Sequence, residues 1–476
     1  MKTFAIILCL FIIQMVVIFL LEFRRPQRTV AWLFILLCCP PLGLLFYYYF
    51  GSDYRQARNI KRRGTSSLRE IRKHVECRSR IVKKPEETGN PEFDNQRELL
   101  LLLSRLSENP ITGRNQSRVL FTGIEAYDSM LEAMESAQEH IHVEFYIFRE
   151  DKISQRFKEV MLRKARQGVK VRLLCDGIGS HSLSRKFINT LKKGGVEFHF
   201  FLPPLLSFLD RRSSYRNHRK IVIVDGLIGF TGGMNVGDDY LGHDPEIGYW
   251  RDTHLQLEGD AVYFIQFVFL KDWRRASGER LSHPRLFPVH SCEGSEAVQI
   301  VESGPDLEVD SAQELYFAAM CAAKHRIWIT TPYFIPDSAI CRALKSAVLR
   351  GVDVRVLIPG KPDTWLVYYA SLSYLEDLQD AGVKFYRYQK GFIHSKVILI
   401  DQLLASVGSA NLDMRSLYSN FELTAVLMEP ERIAKVAAEF EQDLKNSDFI
   451  DPHEFKNRSR FTRLKENLCY LLSPLL

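Results

Sequence analysis

Cysteine is scarce in this chain of 476 residues, and its distribution excludes several kinds of site. The number is odd, two of the residues lie inside an apolar stretch, and no pair has the C-x-x-C spacing of a zinc or redox motif. A disulfide framework and a structural zinc site are therefore excluded, and the pattern indicates reduced thiols in a protein that faces the cytosol. The nine cysteines are Cys9, Cys38, Cys39, Cys77, Cys175, Cys292, Cys321, Cys341 and Cys469.

The chain also lacks low-complexity tracts, a phosphate-binding P-loop and a strong excess of one charge. Charged residues make up 25% and hydrophobic residues 46% of the sequence, which excludes a largely disordered or fibrous protein. The net charge of +7 is mild, so composition gives no reason to expect nucleic acid, although it suits contact with anionic lipid. A length of 476 residues exceeds one ordinary core and indicates two domains with additional segments.

Two long apolar runs occupy the first fifty residues. Residues 4–21 contain one polar side chain, Gln14, and residues 30–50 contain no charge. At about 1.5 Å per helical residue, each run is long enough to span the hydrocarbon core of a bilayer. The segment after the first run, Glu22-Phe-Arg-Arg25, does not fit the cleavage site of a signal peptide. Residues 1–50 are therefore predicted to form a two-helix transmembrane hairpin.

Charges beside these runs predict the orientation of the hairpin. The amino-terminal flank carries Lys2 and the chain terminus, whereas a basic cluster follows the second run. Three arginines in the connecting loop weaken this bias, but it still favours a hairpin whose outer flanks and large following portion lie in the cytoplasm. The basic cluster consists of Arg55, Arg58, Lys61, Arg62, Arg63 and Arg69.

The remainder of the chain changes character near residue 116. Residues 51–115 are polar and basic, and are predicted to form a juxtamembrane linker that passes into a helix near Asn95–Ser107. Beyond them, apolar strand runs alternate with helical stretches such as Ser154–Gln167 and Ser338–Leu349. This alternation is typical of an α/β fold in which helices cover both faces of a mixed sheet.

One structural unit occurs twice in this part of the chain. Four strand-like runs within residues 141–225 recur in the same order within residues 327–401, shifted by 176 to 187 positions. The repeat predicts two tandem domains, residues 116–290 and residues 291–476. We expect them to pack as a pseudo-dimer, with any shared site on the pseudo-twofold axis.

The chain ends in an amphipathic stretch. Phe461, Leu464 and Leu468 lie on one stripe of a predicted helix, together with Leu471 and Leu472. Such a stripe is equally typical of a helix that docks on the protein core and of one that lies on a membrane surface.

A polar motif, H-x-K-x4-D, occupies the last run of each copy. With six residues in between, the aspartate of each copy is followed by a glycine, a small residue, one further residue and an asparagine. Because side chains at i and i+2 of a strand share a face, the histidine and lysine of each copy should point the same way. Burying the two together is unfavourable unless a polar site requires them. A lone pair of this kind is usually structural, but its duplication favours a functional site. The motif residues are His218, Lys220, Asp225 and Asn235 in the first copy, and His394, Lys396, Asp401 and Asn411 in the second.

These paired motifs resemble those of the phospholipase D superfamily, and the chain is similar to the bacterial cardiolipin synthases in particular. Further similarity lies in residues 232–240, residues 249–254, Asp272-Trp273 and the terminal Ser473-Pro-Leu-Leu476, together with the two-span anchor. The resemblance covers nearly the whole chain and implies two tandem phospholipase D-like domains. Neither motif departs from the family: Gly232-Gly233 in place of Gly-Ser is a common variant, although it removes one hydroxyl donor from the first half.

The resemblance implies that the two motifs act without a metal ion or cofactor. One histidine would attack phosphorus and form a phosphohistidine, while the other protonates the leaving alcohol and then deprotonates the incoming one. By similarity to the family we assign attack to His218 and acid–base catalysis to His394, an order that the sequence alone does not fix. Asp225 and Asp401 belong to the catalytic motif, but we expect them to fix strand–turn geometry rather than touch substrate.

Other residues take supporting roles by the same resemblance. Lys220, Lys396, Asn235 and Asn411 would neutralise charge on the phosphate oxygens, assisted by the hydroxyl of Ser409. Asp252 and Glu422 match the positions of carboxylates that hold the distal nitrogen of a motif histidine and thereby fix its tautomer. The alternative for these two is an ordinary surface carboxylate.

The implied activity is the synthesis of cardiolipin at the bacterial cell membrane. Phosphatidylglycerol would be both donor and acceptor of the phosphatidyl group, with anionic membrane lipid as surroundings and no nucleic-acid partner. Three alternatives stay open: a phospholipase D-type hydrolase, a phosphatidyltransferase that uses a different alcohol, and a non-catalytic membrane scaffold. The sequence does not indicate an oligomeric state.

Overall fold

A computed structural model describes residues 2–22, 26–38, 40, 43, 47, 69–202, 215–244 and 248–476 of the chain. Residues 51–68, the first part of the predicted basic linker, lie outside the described residues. Most of the predicted second span beyond Cys38 lies outside them as well.

Helices of the described residues alternate with strands from residue 111 onward. In chain order the helices are α1 (Lys2–Glu22), α2 (Pro26–Cys38), α3 (Arg69–Arg78), α4 (Arg97–Leu106), α5 (Gly123–Ser136), α6 (Lys152–Arg166), α7 (Arg185–Lys193), α8 (Asp260–Ser277), α9 (Ser311–Ala322), α10 (Ser338–Leu349), α11 (Trp365–Ser373), α12 (Leu375–Asp380), α13 (Met414–Tyr418), α14 (Pro430–Lys445), α15 (Pro452–Lys456) and α16 (Arg460–Leu472). Short 3-10 turns occur at Pro85–Thr88, Pro91–Phe93, Asp238–Leu241, Pro284–Leu286 and Ser473–Leu475.

Most of the strands belong to two copies of one set. Those of the first half are β1 (Ile111–Thr112), β2 (Asn115–Leu120), β3 (His140–Phe145), β4 (Lys170–Asp176), β5 (Glu197–Phe201), β6 (Ile221–Val224), β7 (Ile228–Gly232), β8 (Tyr249–Arg251) and β9 (His254–Gly259). Those of the second half are β10 (Val298–Ser303), β11 (Arg326–Thr330), β12 (Asp353–Pro359), β13 (Lys384–Tyr388), β14 (Gly391–Ile393), β15 (Val397–Ile400), β16 (Leu404–Gly408), β17 (Glu422–Leu427) and β18 (Ser447–Phe449). Strands β1 and β18 are additional to the repeated set.

Each half builds a mixed sheet with the same strand order. The first sheet runs β2-β9-β7-β6-β3-β4-β5, and the second contains β10-β17-β16-β15-β11-β12-β13 with β1 and β18 added at its edges. In both sheets the last three strands of this order are mutually parallel and the others pair antiparallel. The predicted α/β class with two tandem mixed sheets is therefore confirmed.

Apolar residues on both faces of each sheet are buried, as a sheet with parallel strands requires. The outer face of the first sheet packs against α5, α6 and α7, and the outer face of the second packs against α4, α9, α10 and α12. The inner faces share one core with α8 and α14, in which Ile223 and Leu257 of the first half join Leu399 and Val407 of the second. The two halves therefore form one folded body.

Helix α4 lies where the sequence predicts a helix before the first domain, and the structure shows what it packs on. Leu99, Leu103 and Leu106 are buried in the core of the second sheet beside Ile327. The short strand β1 follows the helix and pairs with β10, also of the second sheet. The segment before the first domain thus completes the second one.

The aspartate that ends each motif lies in the turn after its strand and bonds to the neighbouring strand. Asp225 and Asp401 adopt positive φ angles of 53° and 50°, a conformation that aspartate tolerates better than most residues. The Asp225 carboxylate accepts the N–H groups of three consecutive residues at the start of β3, at 2.7 to 2.8 Å. Asp401 does the same at the start of β11. Both carboxylates therefore join the motif strand to its neighbour.

The N-terminal helices α1 and α2 contact each other, and the end of the chain contacts them. Leu475 packs against a small core that includes Ile18, Trp32 and Leu36. Within the described part of the chain, no helix combines the length and the apolar character needed to cross a membrane. The predicted hairpin is therefore not confirmed.

Helix α16 has two different faces. Cys469 and Glu466 are buried against the body of the protein, where α16 packs along α11. Phe461, Leu464 and Leu468 remain 65%, 53% and 46% exposed. The helix thus docks on the core through one face and exposes the apolar stripe that the sequence predicts.

Candidate active site

The two motif histidines lie where the halves meet. Each His-x-Lys triplet forms an extended segment that leads directly into β6 or β15, rather than lying within the strand itself as the sequence predicts. Residues before the histidines pair with the opposite half: Asn217 bridges Phe421, and Ile393 of β14 pairs with Arg251 of β8, both in parallel. The N–H of His218 donates to the Phe421 carbonyl at 2.9 Å, and that of His394 donates to the Arg251 carbonyl at 2.7 Å. Each motif is thus held in place by the other half.

Each imidazole is held by a buried carboxylate of the opposite half. Nδ1 of His218 lies 3.0 Å from Glu422 Oε2, and Nδ1 of His394 lies 2.7 Å from Asp252 Oδ2. Both carboxyl side chains are 0% exposed. A carboxylate on Nδ1 fixes the tautomer and leaves Nε2 as the nitrogen available for chemistry. The predicted carboxylates are therefore in contact with the predicted histidines, but the pairs are crossed between the halves.

The two motif lysines are buried beside the histidines, and their charges interact with the two carboxylates and with each other. Lys220 and Lys396 are almost fully buried, and each Nζ donates to the backbone carbonyl of its own motif histidine at 2.5 Å. Burial lowers the pKa of Lys220 to about 7 and that of Lys396 to about 8, against the opposing effect of the two carboxylates. Charge repulsion between the lysines lowers the Lys220 pKa further.

Both halves influence the protonation of each histidine. Burial lowers the pKa of His394 to about 3, helped by Lys396 and by Lys220 of the other half. Burial also lowers the pKa of His218, opposed by Glu422 and assisted by both lysines. Burial raises the pKa of Asp252 and Glu422, but the motif histidines, the motif lysines and the hydrogen bonds to these carboxylates together lower it more, so both carboxyl groups are ionised. The two motifs therefore form a single site, in which two neutral imidazoles lie beside two lysines that attract anions.

Known proteins share the sequence pattern that builds this site. Residues 130–267 and 316–444 match the family described as "Cardiolipin synthase, PLD-like domain". Residues 4–52 match the family described as "Phospholipase_D-nuclease N-terminal". The chain belongs to the cardiolipin synthase family of phospholipase D-like proteins.

Individual members of this family are similar along the whole chain. A cardiolipin synthase of Geobacillus kaustophilus is 43% identical over 475 residues, which cover 99% of this chain and 94% of that protein. A cardiolipin synthase of Halalkalibacterium halodurans is 40% identical over the same shares of both chains. "Cardiolipin synthase 2" of Bacillus anthracis is 41% identical over 461 residues, covering 96% of this chain and 88% of the relative.

Solved structures share the fold of this family at low identity. Phosphatidylserine synthase of Haemophilus influenzae superposes with a TM-score of 0.61 at 13% identity, covering 80% of this chain and 100% of that one. Polyphosphate kinase of Porphyromonas gingivalis gives a TM-score of 0.50 at 14% identity, covering 74% of this chain and 53% of the other. At these identities the likeness concerns the fold alone.

The asparagines and serine that the family resemblance assigns to phosphate binding have protein partners in this structure. Asn235 accepts the N–H of Ile147 at 3.1 Å, and Asn411 donates to Asp413 at 3.0 Å. The Ser409 hydroxyl donates to Glu422 Oε2 at 2.5 Å. Ser409 therefore contacts the carboxylate that holds His218, and its role as a phosphate ligand stays a prediction.

Gly233 differs from Ser409 for a steric reason. A Cβ atom at position 233 would lie 2.0 Å from Oδ1 of Asp252. The carboxylate of the shorter aspartate thus occupies the space that the serine side chain fills in the other copy. Gly233 in the first copy is therefore matched by an aspartate where the second copy has a glutamate.

Arg219 is a structural residue of the site that the sequence reasoning missed. It lies between His218 and Lys220, is 1% exposed, and its Nε donates to the Glu422 carbonyl at 3.1 Å. The same guanidinium donates to the Ser303 carbonyl at 3.1 Å and pairs with Asp272. Strand alternation predicts that position 219 points away from the motif face, and an arginine there needs buried partners, so the signal was present in the sequence.

Aromatic rings beside the histidines were also missed. The ring of Tyr146 lies 4.9 Å from that of His218, and Trp250 lies 5.1 Å from His394. Nothing in the spacing of these residues distinguishes them from core aromatics. Among the residues described, no group of three or more histidine, cysteine, aspartate or glutamate side chains could hold a metal ion.

Gly233→Ser should disable the site although the other copy carries serine at this position. The new side chain must displace the Asp252 carboxylate, so His394 loses its partner, and a displacement of this size is expected to lower kcat by about a hundredfold. The reverse change, Ser409→Gly, removes one hydroxyl without a clash and should cost less. Steady-state rates of both variants, with thermal unfolding to check folding, provide the measurement. Wild-type kcat in Gly233→Ser would contradict this view of the site.

Anion binding should weaken as the pH rises from about 6.5 to 9, because the two lysines lose their protons near pH 7 and 8. Sulfate keeps its charge over this range, and its inhibition constant is expected to increase at least about tenfold. Lys220→Arg keeps a permanent charge and should make the dependence shallower. A sulfate inhibition constant that stays level in the wild-type protein would show that both lysines remain charged.

Proposed function

We propose that this protein is a cardiolipin synthase that transfers a phosphatidyl group from one phosphatidylglycerol to the hydroxyl of another and releases glycerol. The observation that carries the proposal is the crossed arrangement, in which each histidine contacts a buried carboxylate of the other half beside two buried lysines. Similarity along the whole chain to relatives named cardiolipin synthase supports this choice of substrate.

The first step forms a phosphohistidine. Nε2 of His218 attacks phosphorus with its lone pair, and the bond between phosphorus and the glycerol oxygen breaks. The departing oxygen takes a proton from Nε2 of His394. Because an anionic phosphodiester favours the protonated imidazole, substrate binding raises the low pKa of His394 and supplies the acid when it is needed. Glycerol leaves, and His394 is neutral.

The second step transfers the phosphatidyl group. His394 removes the proton from the hydroxyl of a second phosphatidylglycerol, whose oxygen attacks phosphorus as the bond to His218 breaks. One phosphodiester is exchanged for another, so the reaction needs no nucleotide. Asp252 and Glu422 stabilise the imidazolium forms through Nδ1.

The positive charge of the two motif lysines stabilises both transition states. Lys220 and Lys396 would neutralise the non-bridging oxygens; each Nζ donates to the backbone carbonyl of its own motif histidine, which supports this role. Asn235 and Asn411 would add amide donors to the phosphate oxygens. This role for the asparagines requires them to exchange a present partner for the phosphate.

The lipid substrates explain a membrane anchor. We propose that residues 1–50 form a two-span hairpin, with residues 51–476 in the cytoplasm of a bacterium. The apolar runs of the sequence, the match of residues 4–52 to a family-specific N-terminal segment and the exposed stripe on α16 support this proposal.

Purified protein in vesicles with labelled phosphatidylglycerol should yield cardiolipin and glycerol in equal amounts without CTP, because the donor phosphodiester supplies the energy. Mass spectrometry of the lipids and assay of free glycerol provide the measurement. His218→Ala should abolish both products, whereas the control His283→Ala, at an exposed histidine, should keep them. Phosphatidic acid as the main product would instead identify a hydrolase, and a different lipid adduct would identify another alcohol acceptor.

The orientation of the anchor can be tested with exposed cysteines. Cys77 and Cys321 are exposed in the structure. If the catalytic portion is cytoplasmic, a membrane-impermeant maleimide should label them in inverted vesicles and leave them unlabelled in right-side-out vesicles. The Cys77→Ser/Cys321→Ser variant controls for labelling at other thiols. Labelling from the outside of intact cells would exclude the proposed topology.

A further inference from the structure

Helices α11 and α16 lie side by side and run in the same direction. The ring of Tyr374 lies 5.3 Å from that of Tyr470, and Nζ of Lys465 lies 5.5 Å from the centre of the Tyr369 ring. Both contacts join residues that are 96 positions apart in the chain. The start of α11 therefore lies level with the start of α16.

Large apolar side chains are exposed on this pair of helices. Phe461, Leu464 and Leu468 form what we call the α16 stripe, and Trp365, the first residue of α11, lies level with Phe461. Trp365 is 65% exposed, whereas each of the other four tryptophans is at most 8% exposed. An exposed tryptophan beside an aliphatic stripe is typical of a surface that enters the interface of a bilayer.

Basic side chains border the α16 stripe. At about 100° of rotation per helical residue, Arg460 and Lys465 lie on opposite edges of the stripe. Nζ of Lys465 lies 4.7 Å from the centre of the Phe461 ring. Glu466, the acidic residue of this helix, is buried and pairs with Arg458 at 2.6 Å. The charged side chains of α16 outside the core are therefore all basic, which suits the phosphates of anionic lipids.

The α16 stripe adjoins the N-terminal helices. The segment after α16 brings Leu475 against Ile18, Trp32 and Leu36 of α1 and α2, and α16 itself contacts α2. Helix α1 in turn exposes a run of apolar side chains, among them Ile13. Helices α1 and α16 therefore expose apolar side chains on adjoining parts of the molecule.

The start of α11 is also tied to the catalytic site. Asp363, two residues before Trp365, accepts the hydroxyl of Tyr333. The residue after this tyrosine, Phe334, bridges Leu412 in parallel, and Leu412 follows the motif asparagine of the second copy. Tyr333 and α11 follow the carboxyl ends of the parallel strands β11 and β12. The exposed surface and the second motif therefore lie at the same end of the second sheet.

We propose that the α16 stripe and Trp365 enter the boundary between lipid head groups and acyl chains, with Arg460 and Lys465 on the phosphates of anionic lipids. This inference rests on the membrane anchor of the proposed function. A bilayer can cover the N-terminal helices and the stripe together, and the basic side chains at its edges reach phosphates while their stems stay on apolar surface. The contact holds the end of the second sheet that carries the motif against the membrane.

Trp365 provides the probe for this contact. The full-length protein is reconstituted in vesicles of phosphatidylglycerol and phosphatidylcholine, with or without bromine on the acyl chains. The difference in fluorescence between the wild type and Trp365→Phe isolates the Trp365 signal. Bromine quenches at short range, so this signal should fall at least about twofold in brominated vesicles and resist quenching by aqueous acrylamide. Trp328→Phe, at a buried tryptophan, is the matched control, and its difference signal should not change.

Two results would overturn the inference. Quenching of Trp365 by acrylamide but not by brominated lipid would show that the surface faces water. Protection from both quenchers would show that protein, such as a second copy of the chain, covers it.

Leu464→Glu should weaken the contact, because a carboxylate is repelled by anionic lipid and is unfavourable at the acyl boundary. Cardiolipin synthesis in vesicles is expected to fall about tenfold and the quenching of Trp365 to be lost. The rate with a short-chain phosphatidylglycerol, dissolved as monomers, should stay at the wild-type value. Leu349→Glu is the matched control, since Leu349 is exposed and precedes the start of β12, at the opposite end of the sheet. It should change neither quantity.

The two measurements separate the inference from the function on which it rests. Quenching of Trp365 by brominated lipid in a protein that makes no cardiolipin would overturn the proposed function and retain the membrane surface. Cardiolipin synthesis without this quenching would overturn the inference alone. Equal losses of Leu464→Glu on vesicles and on the short-chain substrate would show that Leu464 acts through the fold, and would overturn the inference as well.

Discussion

The hydrogen bond between an imidazole of one half and a carboxylate of the other is the contact on which the rest of the site depends. Asp252 and Glu422 are fully buried, and a buried carboxylate is strongly unfavourable unless a partner compensates it. Their partners are the histidines that the neighbouring half holds by its backbone. Separating the halves would leave two carboxylates and two lysines without their compensating charges. Because of this, the surface that joins the domains and the site that performs the chemistry are the same.

The charges of this site are balanced against one another before substrate arrives. Burial lowers the pKa of both lysines and both histidines, while those four groups keep the carboxyl groups ionised. Without an anion nearby, the lysines and histidines can therefore lose protons, which avoids several uncompensated positive charges in the buried site. An arriving phosphodiester reverses this effect because its negative charge favours the protonated lysines. Anion binding and proton uptake are thus coupled, and the same negative charge favours protonation of the buried histidines.

Much of this arrangement could be predicted from the sequence because duplication makes a pattern visible twice. The repeated runs predicted two equivalent mixed sheets, and the paired motifs predicted which histidines and lysines share a site. The crossing of the carboxylates could not be predicted. Asp252 follows His218 by 34 residues and Glu422 follows His394 by 28, but which imidazole each one reaches is decided by the parallel pairing of β8 with β14. Helix α4 was foreseen as a helix, while its place in the second core depends on packing that no local pattern contains.

A site that joins two molecules of the same lipid must assign them different roles, and the substrates themselves provide no distinction. A perfectly twofold site would bind either molecule in either role with equal free energy. This chain breaks the symmetry at three levels while keeping the catalytic set intact. The carboxylates differ in length, the neighbouring small residue is Gly233 on one side and Ser409 on the other, and Trp250 beside His394 stands where the other copy has Asn420. Duplication explains why two histidines meet, and divergence of the copies gives the two histidines different surroundings.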